Sequence, residues 1–423
     1  MLNRVKKFIP GFLLSWYHFT LAVIGAVLYR FPSKHLRVIG VTGTKGKTST
    51  SYFIAQLLDK IGEKSGLTST ALFKIGPLIW QNDKKQTMLG RFGIQHLLRK
   101  MVNEKCTYAV VETSSEGILQ HRHRGIRYLA AVFTNISPEH IERHGTFENY
   151  RKEKEKLFKK VSRVNKGISV INLDDASANI FSSYRAEKML GVSFGSESSP
   201  SWFSGDVLRA KIEGEYPNQK LIIDGISGNL SILGEFNASN IALAVATLYG
   251  FGFKLPDIMT HIDELILPPG RLEEIEHDKG YKVFVDYAHE PASLKSALLA
   301  VRTITKGRVL VLTGAQGGGR DIWKRLVIGK VAAENADVIV ITNEDPYDED
   351  PEKIINDVAV GALEKGPEVH LITDRKHAIE KILALAEPGD SVLIAGKGGE
   401  VSMCTKEGTI PWSDADIASE FLK

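Results

Sequence analysis

Short, nearly continuous apolar runs alternate along most of this chain with longer stretches of helical periodicity. RVIGV (37–41), TYAVVE (107–112), LAAVFTN (129–135) and ISVINL (168–173) have the pattern of strands buried on both faces of a parallel sheet. Between them, 48–61, 92–104 and 147–162 space their apolar residues as helices do. The texture changes over 191–233, where apolar and polar positions alternate, and antiparallel hairpins are predicted. A helix follows at 238–250, and Pro268-Pro269-Gly270 breaks the chain. A second α/β series then begins: VFVDYA (283–288), RVLVLTG (308–314), DVIVITNE (337–344), EVHLIT (368–373) and SVLIAG (391–396). Helices at 291–302, 324–335, 351–364 and 376–386 separate these strands. The fold class is therefore α/β: a central domain with a mostly parallel sheet over 37–268, then a Rossmann-like domain over 269–423. Ligands are expected at the carboxyl ends of the strands.

One segment stands outside this alternation. Phe8 to Tyr29 contains no Asp, Glu, Lys or Arg and has about the length of a membrane span, with aromatics near its start and end. Basic residues flank both sides (Arg4, Lys6 and Lys7; Arg30, Lys34 and Arg37), so charge does not orient it, and no small-x-small cleavage site argues for a signal peptide. Ser15, His18 and Thr20 interrupt its apolar surface. Residues 1–36 are expected to form an apolar helical segment, packed on the protein or lying in a membrane interface rather than crossing it.

Composition narrows the partners. A net charge of +4 is too small and dispersed for nucleic acid. The two cysteines, Cys106 and Cys404, show no metal-ligand spacing, so a cytoplasmic setting is expected, with membrane association through residues 8–29.

Candidate chemistry begins at GVTGTKGKTST (40–50), between a strand and a helix. A strict P-loop has a glycine where Val41 stands. Backbone N–H groups bared by Gly43 and Gly46 still suit a polyphosphate, aided by the dipole of the following helix. Lys47 would reach the β- and γ-phosphates, and the Thr48 hydroxyl would hold Mg²⁺. The plainer alternative is a flexible basic turn.

Further polar residues cluster just after strands: Glu112 with Thr113-Ser114-Ser115, Asn135 with the loop carrying His140 and His144, and Lys154 in the helix NYRKEKEKLF. Singly, each reads as readily as a solvated strand end, a loop histidine or a helix-surface cation. Beside a P-loop they suggest a hard-cation site next to nucleotide phosphates.

TGTKGKTS, the glutamate followed by two serines, FTNISPEH, HGTFENYRKEK, GEFNASN (234–240), PPGRLE (268–273) and DYAHEPASL (286–294) are similar in order and spacing to the motifs of the Mur ligase family. The similarity is strongest to members that add the third residue of the peptidoglycan stem peptide, and it covers about residues 37–423. The resemblance implies ATP-dependent amide-bond formation through an acyl phosphate, with ATP and two Mg²⁺ as cofactors. Gly43, Thr44, Lys45, Gly46, Lys47, Thr48 and Ser49 would bind the phosphates. Thr48 and Glu112 would serve the first metal, and His140 with a carbamylated Lys154 the second. Asn237 and Asn240 would lie at the adenine, Arg271 near the phosphates, and Asp286 and His289 at the nucleotide. Asn237 also fits a plain helix N-cap. Thr87, Ser114, Gln120 and Arg122 match positions that hold the peptide substrate. Arg325 would take the incoming amino acid's α-carboxylate, and Gly396 and Glu400 its amine side.

Three departures bear on substrate. Only 36 residues precede the P-loop strand, so the family's N-terminal UDP-binding surface is expected to be absent or rebuilt, and the acceptor with its free carboxylate could be UDP-linked or lipid-linked. The DNPR of diaminopimelate-adding members reads Glu344-Asp345-Pro346-Tyr347, losing the arginine that clamps a distal carboxylate. The family's GKGHE reads Gly396-Lys397-Gly398-Gly399-Glu400. The free amino acid is therefore expected to have a cationic or neutral side chain. Cyanophycin, poly-γ-glutamate and folylpolyglutamate ligases share the same ATP-site logic and remain open, as does a non-catalytic, membrane-tethered nucleotide-binding subunit.

Overall fold

The computed structural model describes residues 11–139, 141–195, 199–319, 322–363 and 366–423, which fall into two compact units. The first comprises 1–214, 218–230 and 238–265; the second comprises 215–217, 231–237 and 266–423.

The first unit opens with α1 (Gly11–Leu28), then β1 (Arg37–Thr42) and α2 (Lys47–Lys60). Three short strands follow, β2 (Ser65–Thr68), β3 (Leu72–Ile75) and β4 (Leu78–Gln81), then α3 (Arg91–Asn103), β5 (Tyr108–Glu112), α4 (Ser115–Leu119) and β6 (Tyr128–Phe133). Next come α5 (Phe147–Val161), β7 (Ile168–Asn172), β8 (Lys188–Ser193), β9 (Asp206–Glu213), β10 (Gln219–Ile223), β11 (Ile226–Leu230) and α6 (Glu235–Gly250). One eleven-stranded sheet results, in the order β11-β10-β9-β8-β7-β6-β1-β5-β2-β3-β4. Every residue of β5, and all of β1 beyond Arg37, is buried, as continuous apolar runs require when helices cover both faces. A core of Val38, Leu98, Val111, Phe133, Leu157 and Phe158 fills one side.

The sheet corrects two expectations. β8 pairs parallel to β7 and β9 parallel to β8; only β9-β10-β11 form the antiparallel ribbon expected over 191–233. The hairpin strands β2-β3-β4 were not foreseen.

The second unit has the strand order β12-β13-β17-β14-β15-β16, with β12 (Glu273–Glu274), β13 (Lys282–Asp286), β14 (Val309–Thr313), β15 (Val338–Thr342), β16 (Glu368–Ile372) and β17 (Ser391–Ala395). All pairs are parallel except β12 with β13. Helices α7 (Pro291–Arg302), α8 (Trp323–Asn335), α9 (Pro351–Ala362), α10 (Arg375–Leu385) and α11 (Asp414–Leu422) cover it, and a hairpin of β18 (Ser402–Thr405) and β19 (Gly408–Pro411) follows β17.

Candidate active site

β1 lies between β5 and β6, so its carboxyl end is where the strand order turns back, the place an α/β sheet offers a ligand. The P-loop leaves β1 there. A Cβ on Gly43 would fall 1.9 Å from Thr134 Oγ1, and one on Gly46 2.2 Å from Asn240 Oδ1, so no side chain fits at either turn. Gly46 also has φ 75° and caps α2. The loop is stitched to the end of β6: Thr44 N donates to Asn135 O (2.8 Å), Lys45 N to Asn135 Oδ1 (2.9 Å), and Thr134 Oγ1 to Lys45 O (2.6 Å). Lys47 folds back onto the loop, its Nζ donating to Thr44 O at 2.7 Å. Ser49 is buried in the first turn of α2.

Glu112, almost wholly buried at the end of β5, gathers the hydroxyl of Thr48 (3.0 Å), the N–H of Thr70 (2.7 Å) and the hydroxyl of Thr70 (3.0 Å). The Thr70 hydroxyl also meets the Thr87 hydroxyl at 2.9 Å, which brings that position to the same corner. A buried carboxylate and a P-loop hydroxyl 3.0 Å apart form a hard oxygen donor set that fits Mg²⁺.

Lys154 is 1% exposed. Its Nζ donates to Gly43 O at 2.6 Å and lies 4.5 Å from the centre of the Tyr150 ring, while the Tyr150 hydroxyl meets Thr44 Oγ1 at 3.0 Å. Burial, then the Lys47 ammonium, push its pKa well below the ordinary lysine value, against the opposing pull of Glu139 and Glu112. The neighbouring Lys152 and Lys156 pair instead with Glu148 and Glu153 on the helix surface. His144 packs edge-on to Tyr150 at 5.3 Å, its Nε2 buried without a hydrogen-bond partner among the described residues. His140 lies outside the described residues.

Of the remaining first-unit positions, Ser114 caps α4 by accepting from Gly117 N (3.2 Å). Gln120 links Glu116 (3.0 Å) to the Arg122 guanidinium (2.8 Å), and Arg122 also donates to Met88 O. Asn240 accepts from Thr50 Oγ1 at 3.2 Å, beside the P-loop turn. In the second unit, Asn237 Nδ2 donates to Leu233 O at 2.8 Å.

Asp286, at the end of β13, accepts from the N–H groups of Leu272 and Ala288, both at 2.8 Å; burial raises its pKa. Arg271 lies over the Tyr287 ring at 4.4 Å, and the Tyr287 carbonyl meets His289 Nδ1 at 2.7 Å. Lys397 is wholly buried and donates to Asp345 (2.9 Å) and Glu400 (2.5 Å). Glu344 is also wholly buried: one oxygen accepts from Gln316 Nε2 at 2.9 Å, the other has no partner among the described residues, and burial raises its pKa. Gly396, at φ 116°, runs past that second oxygen, which would lie 2.9 Å from a Cβ there. Tyr347 sits at φ 54° and donates its N–H to Cys404 O at 3.2 Å. Arg325, 1% exposed, pairs with Glu349 (2.8 Å) and Asp357 (3.0 Å), so the arginine expected to hold an α-carboxylate already carries two.

Residues 41–248 match the Mur ligase middle domain, and 270–398 match the Mur ligase, glutamate ligase domain. A UDP-N-acetylmuramyl-tripeptide synthetase of Roseiflexus sp. (strain RS-1) is 33% identical over 416 residues, 95% of this chain and 81% of the relative. The chain belongs to the Mur ligase family. A UDP-N-acetylmuramoyl-L-alanyl-D-glutamate–2,6-diaminopimelate ligase of Halalkalibacterium halodurans is 32% identical over 404 residues, covering 95% of this chain and 82% of the relative. Among solved structures, a ligase of that name superposes with a TM-score of 0.62 at 29% identity over 92% of this chain and 78% of the other. Mycobacterium tuberculosis folylpolyglutamate synthase shares the fold, with a TM-score of 0.70 at 17% identity over 95% and 94% of the two chains. As a Mur ligase the protein is an ATP-dependent acid–amino acid ligase, and the family uses ATP and Mg²⁺.

Three residues around the first unit's candidate site had not been singled out, nor had one pairing in the second unit. Thr70 follows a four-residue strand with no clear period, and Thr134 sits one residue before the noted Asn135. Tyr150 lies four residues before Lys154, one turn away on the same helix face, a spacing that could have flagged it. The Lys397–Asp345 pair joins residues 52 apart and has no local signal.

Proposed function

We propose that this Mur ligase joins a free amino acid to the free carboxylate of a peptide-bearing, peptidoglycan-precursor acceptor, UDP-linked or lipid-linked. One acceptor carboxylate oxygen attacks the γ-phosphorus of ATP, the bond to the β-bridging oxygen breaks, and ADP leaves. The amine of the amino acid then attacks the acyl phosphate carbon, loses a proton, and expels inorganic phosphate. Backbone N–H groups of the 43–49 loop, other than those of Thr44 and Lys45 that Asn135 already holds, and the Lys47 ammonium hold the phosphates through both steps. Asn237, Asn240, Arg271, Asp286 and His289 serve the nucleotide. Thr87, Ser114, Gln120 and Arg122 hold the peptide, and Arg325, Asp345, Tyr347, Gly396 and Glu400 the amino acid.

Thr48 and Glu112 would hold one Mg²⁺, and His140 with a carbamylated Lys154 a second. Bound there, the ions would offset the charge crowded between triphosphate and carboxylate. The observation that carries the reading is Lys154, a lysine buried against the P-loop carbonyl with its pKa pushed well down. That environment favours the neutral amine, whose lone pair can attack CO₂. An N–C bond forms, one C=O bond becomes C–O⁻, and an amine proton leaves to solvent. The buried lysine would thereby become a carboxylate-like ligand.

The reading also places the protein in the cytoplasm, with residues 8–29 at a membrane interface; of these, 8–10 lie outside the described residues. It is tested by phosphate release from ATP that requires an amino acid and a UDP-linked or lipid-linked muramyl peptide together. Release that ignores either one overturns it.

A further inference from the structure

α1 has two apolar faces. Its inner stripe, Leu14, Ala22, Gly25 and Ala26, packs on the protein. A Cβ on Gly25 would stand 3.1 Å from the Arg91 carbonyl oxygen at the start of α3, and one on Gly125 would fall 2.4 Å from Ala26 Cβ. Among the described residues the opposite stripe has no such cover: Leu13, Trp16, Tyr17, Ile24, Val27 and Leu28 are all exposed, Trp16 at 71%. A helix settled on its own protein normally turns polar residues outward. Here both faces would leave water if they could, and a contiguous outward stripe of this kind marks a binding surface.

The surroundings say what for. Three segments border the helix: 29–37, 91–103 and 120–127. Arg99 donates to Tyr29 O at 2.7 Å, the Arg124 guanidinium lies 5.6 Å from the Phe19 ring, and Ser15 Oγ meets His121 Nε2 at 2.8 Å. Each bordering segment carries three Lys or Arg, and none contains an Asp or Glu. The whole chain holds 54 basic against 50 acidic residues, so this separation of charge is local to the helix. A second copy docking by the same face would bring two such cationic rims together. An anionic surface meets them favourably.

We propose that α1 lies in the plane of a membrane of anionic lipids, its outer stripe seated between headgroups and acyl chains and the bordering cations on the lipid headgroups. Among the described residues no helix is long and apolar enough to cross a membrane. The inference deepens the membrane contact proposed above and does not depend on the ligase part of that reading.

The test is flotation of the purified full chain with phosphatidylcholine vesicles, with and without phosphatidylglycerol, at low and high salt. Binding should require the anionic lipid and fall as salt rises. Trp16→Ser with Ile24→Ser should lower partitioning tenfold or more while leaving the melting temperature unchanged, because both side chains already face outward. Lys34→Gln, Lys100→Gln and Arg127→Gln together should lower it about a hundredfold at low salt. Failure of the wild type to float with anionic vesicles, equal flotation of wild type and both variants, or sedimentation as a dimer that Trp16→Ser with Ile24→Ser dissolves would each overturn the proposal. Ligation of a soluble UDP-linked acceptor should survive in both variants. Vesicle binding without any ligation would overturn the ligase reading and leave this one standing.

Discussion

Lys154 Nζ donates to the carbonyl oxygen of Gly43 at 2.6 Å, which ties the middle of α5 to the phosphate-binding turn. The helix brings no other lysine there, since Lys152 and Lys156 are held on its surface by Glu148 and Glu153.

Lys154→Ala is therefore expected to reduce ligation by more than about a hundredfold, since loss of a metal-site ligand costs at least what loss of its supporting partners does. ATP binding should persist, because the P-loop glycines and Lys47 are untouched. Partial rescue by a short carboxylic acid would identify the missing group as a carbamate. Turnover like the wild type in the alanine variant would refute the role.

Lys47→Ala should act on the nucleotide itself. Its ammonium rests on Thr44 O of the same loop. A hydrogen bond to a charged group contributes about 1.5–3 kcal/mol, so ATP affinity should fall roughly tenfold to hundredfold in calorimetry. Unchanged affinity would remove the P-loop assignment.

The loop and strand end of the first unit's candidate site were legible in the sequence because each is a short continuous motif, although the contacts that join them span 64 to 190 residues. Gly43 and Gly46 are fixed by the close approach of Thr134 and Asn240, and Glu112 closes an apolar strand whose pattern points to the sheet's carboxyl edge. Strand direction was not legible. DVLRAKIE alternates because β9 is half-buried, and that period is the same whether its neighbour runs parallel or antiparallel. The four-residue strands β2 to β4 are too short to show a period at all. Pairings across long sequence distances, such as Lys397 with Asp345 or Arg325 with Glu349 and Asp357, exist only in the folded chain.

His123 makes the fold acid-sensitive. It is 5% exposed, and burial first, then Lys160 and Arg124, hold its pKa down at about 2. An unfolded histidine titrates near 6.5, so the folded state binds fewer protons between those values. The stability from keeping His123 neutral is complete above pH 6.5 and is lost progressively as pH falls toward 2. At pH 5 the loss should be about 2 kcal/mol. His123→Asn should flatten the fall in melting temperature between pH 7 and pH 5. An equally steep fall in the variant would show that other groups cause it.

The buried charges of the second unit give an expectation for the amino acid. Asp345 and Glu400 share Lys397, and Asp414 holds Arg375 by contacts of 2.6 and 2.9 Å, so both cations are already engaged. Glu344 is left with one buried oxygen lacking a partner among the described residues and with its pKa raised. A second carboxylate brought here would meet acids where diaminopimelate-adding relatives carry an arginine. Loss of such a clamp costs on the order of 2–5 kcal/mol when the charge is buried. An ammonium would instead favour the ionised form of Glu344 and bond to it. Lysine, ornithine or a neutral amino acid is therefore expected to exceed diaminopimelate in kcat/KM by about tenfold or more. Glu344→Gln should narrow the preference for lysine over a neutral amino acid while leaving the neutral substrate's kcat/KM little changed. A higher kcat/KM for diaminopimelate would mean that Lys397 leaves Asp345 and Glu400 to bind its distal carboxylate, and Lys397→Met would then abolish that preference.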